Sequence, residues 1–326
     1  MSHTFHRRNF LKTASVGIGA SALALHAKGT NAQVFGTSEA PKADNQVPSG
    51  MLAPNFEIGR MLLGGNLLTH YTHARDLAYT YNLARHYNTL EKIFETMRIS
   101  EAHGINSVMI HTATGVIDMM KEYKKQGGKM KWIVCPTAPV KDDMGEYTRM
   151  CEQLVDADVD SIYLWGVQAD VLAGLDLGGN TSTPRPDLIQ KVVRLVRSYS
   201  LPVGVAAHRL NTIELCETSG TKPDFYIKTF HHHNYPSAIL NYDSMWCHDP
   251  EKSVEVMAKI DIPWIAFKVM AAGAIPPRSA FEYAFVNGAD FCLSGMFDFE
   301  IAEDTRIVNE VLALDHVKNR ARKWHG

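Results

Sequence analysis

Residues 225 to 230 read "FYIKTF", β-type residues interrupted by one lysine and followed at once by His231, His232 and His233. Short runs rich in β-branched and aromatic residues read as strands. Seven more surround it: "GRMLLGGN" from Gly59, "NSVMIHT" from Asn106, "KWIVCPT" from Lys131, "DSIYLWG" from Asp160, "PVGVAAH" from Pro202, "PWIAFKV" from Pro263 and "ADFCLSG" from Ala289. The stretches between them are amphipathic and carry helix signals. Asn88 stands three residues before Glu91 in a capping-box spacing, Asp249 precedes Pro250 as cap and first helical residue, and Gly104 closes the first major helix. Eight βα units in about 260 residues predict a (βα)8 TIM barrel. An open doubly wound sheet fits less well, because "GGNLLTHY" after the first strand lacks the glycine spacing of a dinucleotide site.

Ahead of the barrel, "HRRNFLK" (His6 to Lys12) leads into an uncharged, mildly apolar run from Thr13 to Ala27. The paired Arg7 and Arg8 with Phe10, Leu11 and Lys12 resemble a twin-arginine (Tat) export signal, departing at His6, where a Ser or Thr is usual. That resemblance implies the Tat export machinery as a partner and a periplasmic or secreted location. Substrates of that machinery cross already folded, often with a cofactor loaded. The apolar run is too short for a spanning helix, which takes roughly 20 residues, so no stable membrane insertion is expected. The sequence therefore divides into a signal peptide (1–32), a Pro-, Gly- and Ser-rich flexible linker (33–57) and a catalytic barrel (58–326). The whole chain has 33 Lys and Arg against 35 Asp and Glu; without residues 1–32 the balance is 29 against 35, a net charge of −6. An acidic mature protein argues against nucleic acid as a partner. Five cysteines, Cys135, Cys151, Cys216, Cys247 and Cys292, have no close spacing and read as small core residues, neither a disulfide framework nor a metal cluster.

Chemistry in such barrels sits at the C-terminal ends of the strands. Three long loops, 67–88, 166–184 and 231–249, should crown that face. Strand residues alternate between the interior and the helix layer, and an unpaired ammonium in an apolar layer is costly. This predicts that Lys228 and Lys268 point inward, with Tyr226 beside Lys228, while Phe225, Ile227, Ile265 and Phe267 face the helices. His111 and His208 fall on inward positions too, with Asn66 after the first strand and Cys135 or Thr137 on the third. No strand offers an inward carboxylate at this level; Asp298, Glu300 and Asp76 are the nearest candidates. The basic mouth suits an anionic substrate or an enolate, and usual glycosidase chemistry is disfavoured for want of paired strand-end carboxylates.

"DFYIKTF" followed by "FKVMAAGAI" resembles the lysine-bearing strands of class I aldolases of the deoxyribose-phosphate type. The resemblance implies a Schiff base on Lys228 tuned by Lys268, and it departs at "HHHN", where that family has small hydroxyl and glycine residues. Residues 267 to 297 resemble the last two units of phosphate-binding barrels, which implies an anion held at the turns of Gly273 and Gly295. The "DSIYLWG" strand and the layout also resemble aldo/keto reductase barrels. Neither "KWIVCPT" nor "LWGVQ" supplies the Lys and His of their tetrad, so those roles are not carried over.

His208 with His231 and His233 could gather three imidazoles around Zn, Mn, Fe or Ni, and the loop "THYTHARD" adds His70 and His73. Aromatic residues in the long loops, Trp165 and Trp246 among them, suit stacking on sugar faces. The leading expectation is an exported barrel enzyme acting on a small, oxygen-rich, sugar-derived carbonyl compound. Its enolate or imine chemistry, of the lyase, aldolase or isomerase class, would use Lys228, Lys268, His111 and His208, with Asn66, Trp165, Gly273, Gly295 and Asp298 lining the substrate. The alternatives are a His-ligated metal-dependent hydrolase or isomerase with a divalent transition metal, and a non-catalytic periplasmic binding protein for sugars or sugar acids.

Overall fold

The computed structural model describes residues 43, 45–239 and 245–325; the twin-arginine segment and the boundary at residue 32 lie outside them. Eight parallel strands close into a barrel: β3 (Met61–Gly64), β4 (Ser107–His111), β5 (Lys131–Cys135), β6 (Ser161–Leu164), β7 (Val203–Ala207), β8 (Phe225–Thr229), β9 (Trp264–Phe267) and β10 (Phe291–Ser294), which pairs back onto β3. These are the eight runs legible in the sequence. The helices around them are α1 (Ala78–Tyr87), α2 (Leu90–Ala102), α3 (Val116–Lys125), α4 (Gly145–Asp156), α5 (Gly166–Leu172), α6 (Pro186–Ser198), α7 (Leu210–Thr218), α8 (Pro250–Met257), α9 (Pro277–Val286), α10 (Ile301–Ala313) and α11 (Asp315–Lys318). The protein is a (βα)8 barrel.

Local signals explain the helix ends. Asp249 accepts from the Lys252 N–H at 2.8 Å with Pro250 in the first turn, and Gly104 takes φ +79° just beyond α2. The capping box is shifted by one residue: Thr89, not Asn88, caps α2 and accepts from the Lys92 N–H. Asn88 is buried and donates to the Leu67 carbonyl instead. On α6 the buried positions Leu188, Ile189, Val192, Val193 and Val196 recur at helical spacing and cover the sheet.

The expectation of a flexible linker to residue 57 is corrected. Residues 49–59 form an antiparallel hairpin, β1 (Ser49–Ala53) and β2 (Phe56–Gly59), turning at Pro54 and at Asn55, whose φ is +60°. Its apolar residues Leu52, Ala53, Phe56 and Ile58 join the barrel interior. A composition rich in Pro and Gly hid an alternation that buries one face.

The parity deduced from the two lysines is also corrected. The interior is filled by Leu62, Met109, Ile133, Cys135, Tyr163, Ala206, Phe225, Ile227, Ile265 and Phe291, with Phe267 at its edge. Tyr226, Trp264 and Ala266 face the helix layer. Gly204 makes room for the interior ring of Phe225, since a Cβ there would lie 2.4 Å from it. Each buried phenylalanine contributes about 1.5–3 kcal/mol, and that apolar filling outweighs a rule based on one charge. Parity on β4 and β7 is as expected, with His111 in line with Met109 and His208 with Ala206.

All five cysteines are free and buried, as their spacing suggested. Among the described residues no helix is long and apolar enough to cross a membrane.

On α10, Asp304 is 5% exposed, and burial together with Glu300 and Glu303 pushes its carboxyl up to about 7. The helix N-terminus favours an anion there, so burial outweighs the dipole. The folded state holds this proton more tightly than the unfolded chain, so stability should fall as pH rises from about 4 to about 7 and level off above. Asp304→Asn should remove that slope and raise stability at pH 8 by up to about 4 kcal/mol, about three pH units at about 1.4 kcal/mol each, measured by urea unfolding across pH.

Candidate active site at the barrel mouth

His208 follows β7, is 8% exposed, and is held by a carboxylate the sequence reading passed over. Asp170 on α5 is fully buried; one oxygen accepts from the His208 backbone N–H at 3.1 Å and contacts its Nδ1 at 3.0 Å. The other accepts from the Arg209 N–H at 3.1 Å and the Thr212 hydroxyl at 2.7 Å. An ionised carboxylate only accepts, so it selects the tautomer with hydrogen on Nδ1 and leaves a lone pair on Nε2. Burial lowers the His208 pKa; Asp170 opposes this, and Lys268 and Lys228 reinforce it. The ring is therefore neutral at pH 7 and competent to take a proton. The tight seat comes partly from Gly166, where a Cβ would stand 3.1 Å from the imidazole.

The His208 ring lies 5.4 Å from Phe267 and 5.6 Å from Trp246. Trp246 lies 5.3 Å from His73, and the Lys268 Nζ sits 4.0 Å above the Trp246 ring centroid. Lys268 also reaches His73 Nε2 at 2.8 Å. It gets to the mouth by a different route from the one expected. β9 ends at Phe267 with Ile265 and Phe267 inside the barrel, and Lys268 takes φ +57°, so alternation stops and the side chain turns. On the far side His111 stands edge-on to Tyr71 at 6.0 Å, and Tyr71 lies 5.7 Å from His73. Burial lowers the His111 pKa.

Lys228 is not part of this rim. It is 1% exposed, and its ammonium donates to the His208 carbonyl at 2.8 Å, the Thr229 carbonyl at 2.9 Å and the Thr229 hydroxyl at 3.1 Å. Strand-end carbonyls that have run out of ladder partners thus solvate a buried cation, which the rule against charge in the helix layer did not anticipate. Burial is the main cause of its lowered pKa.

The expected triad of metal ligands His208, His231 and His233 is corrected. Nε2 of the buried His231 accepts from the backbone N–H groups of Trp246 at 3.0 Å and Cys247 at 2.9 Å, and its Nδ1 donates to the His232 carbonyl at 3.1 Å. His233 Nε2 donates to the Cys247 carbonyl at 2.5 Å. Those lone pairs and protons are committed to backbone, and among the described residues no group of three His, Cys, Asp or Glu is placed to hold a metal ion.

The remaining expected residues divide. Asn66 lies half-buried just beyond β3, and the Trp165 indole, at the start of α5, packs on the interior cluster beneath the mouth. Gly273 and Gly295 are exposed in the turns after β9 and β10. Just beyond the second turn Glu300 accepts from the Phe297 N–H at 2.8 Å, so a carboxylate already takes a backbone donor there. Asp298 is engaged at the rim by the Tyr87 hydroxyl at 2.6 Å and Lys92 at 3.2 Å. Asp76 is exposed.

No family model matches this chain, and no curated protein matches its sequence. Solved structures are similar in fold. One from Pseudomonas aeruginosa, named for the aldo-keto reductases, aligns at TM-score 0.57 and 14% identity over 82% of this chain and 98% of its own. A second structure so named from that organism aligns at 0.55 and 14% over 87% and 100%. A third protein, a mutant solved with NADPH, aligns at 0.51 and 9% over 84% and 93%. At such identities the likeness shows the barrel alone. Where the reductase tetrad would draw on the third and fourth barrel strands, this chain has Pro136 and Thr137 after β5, and Trp165 and Gly166 after β6.

Proposed function

We propose that the barrel is an enzyme whose mouth moves protons on a small, oxygen-rich, sugar-derived carbonyl compound through an enolate. The observation that carries the reading is the buried Asp170–His208 pair beside Lys268. A neutral imidazole of fixed tautomer takes the hydrogen α to the carbonyl, and a cation steadies the charge that develops on oxygen. The Lys268 Nζ stands over the π face of Trp246, a cation–π geometry that suits charge stabilisation. The proton taken by His208 is the one that returns to another carbon or oxygen, and neutral His111, across the mouth, offers a hydrogen bond to the substrate. Proton transfer of this kind serves an isomerase, a lyase or an aldolase alike.

Incubation with sugar-derived aldehydes, ketones and keto acids in D2O, followed by NMR, should show enzyme-dependent exchange of the α-hydrogen. Lys268→Met should slow it by about 10²–10³. Borohydride added during exchange should leave no adduct on the protein; a reduced adduct on Lys268 would replace the enolate reading by an imine.

A further inference from the structure

Two of the three histidines after β8, His231 and His233, hold the backbone that carries Trp246, while the His232 imidazole reaches the Ser279 hydroxyl at 2.9 Å. The segment entering α8 is fixed at both of its polar ends: the N–H groups of Trp246 and Cys247 reach His231 Nε2 at 3.0 and 2.9 Å, and the Cys247 carbonyl accepts from His233. The Trp246 carbonyl lies 3.4 Å from the Thr229 hydroxyl. His231 can accept two donors on one nitrogen only because its Nδ1 proton is spent on the His232 carbonyl. It is 1% exposed, so water cannot replace it. The indole fixed in this way is the surface that Lys268, His73 and His208 all touch.

We infer that His231 is the positioning residue of the mouth: its Nε2, by accepting both backbone N–H groups, seats the Trp246 indole under the Lys268 ammonium and against His208. The inference rests on reading the mouth as the reacting site. It gives the histidine run a purpose in that site without contact with substrate.

The test uses full-length protein labelled with 5-fluorotryptophan, whose five resonances correspond to Trp132, Trp165, Trp246, Trp264 and Trp324; loss of one in Trp246→Phe assigns it. His231→Gln keeps an acceptor at the reach of Nε2, whereas the Asn oxygen falls short and Leu offers none. The Trp246 resonance should stay near its wild-type position in His231→Gln and move to the position of an exposed indole in His231→Asn and His231→Leu, with Trp132 and Trp264 unmoved. A Trp246 resonance unchanged in the Asn variant, or displaced equally in Gln and Asn, would overturn the inference; the Asn and Gln pair decides even if the Leu variant fails to fold. This readout is made on the resting protein and α-hydrogen exchange reads turnover, so either claim can fail without the other.

Discussion

Asp170→Asn is expected to lower α-hydrogen exchange by about 10²–10⁴, the share of a rate that a positioned acid–base group supplies. The amide presents a donor where the carboxylate accepted from His208, so the imidazole must turn its Nδ1 lone pair toward it and carry hydrogen on Nε2, the wrong tautomer for a base. The same change leaves a buried backbone N–H of His208 or Arg209 poorly partnered and should cost about 1–3 kcal/mol of stability. Thermal unfolding separates the two effects: an Asn variant still folded at assay temperature but nearly inactive fits the account. His208→Gln should match it in rate with a smaller loss of stability. Equal activity in wild type and both variants would remove the pair from the mechanism.

The largest expected loss of stability lies elsewhere, at the end of the barrel that the hairpin closes. Asp290 is fully buried, and its carboxylate accepts from Arg320 and Arg322 at 2.7 Å each, from the Trp264 N–H at 3.1 Å and from the His325 N–H at 2.9 Å. Arg320 lies 3.5 Å over the Trp324 ring, and Arg60 lies over the same ring at 4.6 Å. One carboxylate thus docks residues 320–325 against the bottom of β9 and β10. Asp290→Ala strands two buried guanidinium groups and should cost about 3–5 kcal/mol, read as a lower urea midpoint together with faster amide exchange in the C-terminal segment. A change within about 0.5 kcal/mol, the range of an ordinary surface substitution, would show that the arginines find other partners.

The eight strands were legible because apolar β-type runs alternating with helix caps leave few other folds, and none of the eight needed moving. Side-chain direction was less legible. On β4 and β7 the alternation placed His111 and His208 correctly, whereas on β8 and β9 the lysines misled. Lys228 is solvated by leftover carbonyls, and Lys268 stands just beyond the strand in a left-handed turn. Neither arrangement has a signature in composition or spacing. Asp170 escapes a rule that looks for carboxylates at strand ends, because it stands on a helix six residues beyond the end of β6. The clue that was available is its place near the start of a short segment after "LWG", in a loop long enough to fold back on the mouth. Trp246 belongs to the same lesson: its importance lies in what His231 does to its backbone, and sequence spacing does not reveal that pairing.

Proton transfer by His208 is the central step of the proposed reaction. The direct measurement is α-hydrogen exchange in D2O on a panel of small sugar-derived aldehydes, ketones and keto acids, run side by side with wild-type protein and His208→Gln. At least one compound should exchange with the wild type, at a rate that falls by about 10² or more in the variant. Exchange that survives His208→Gln unchanged, or a panel on which the folded wild type exchanges nothing, would contradict that step.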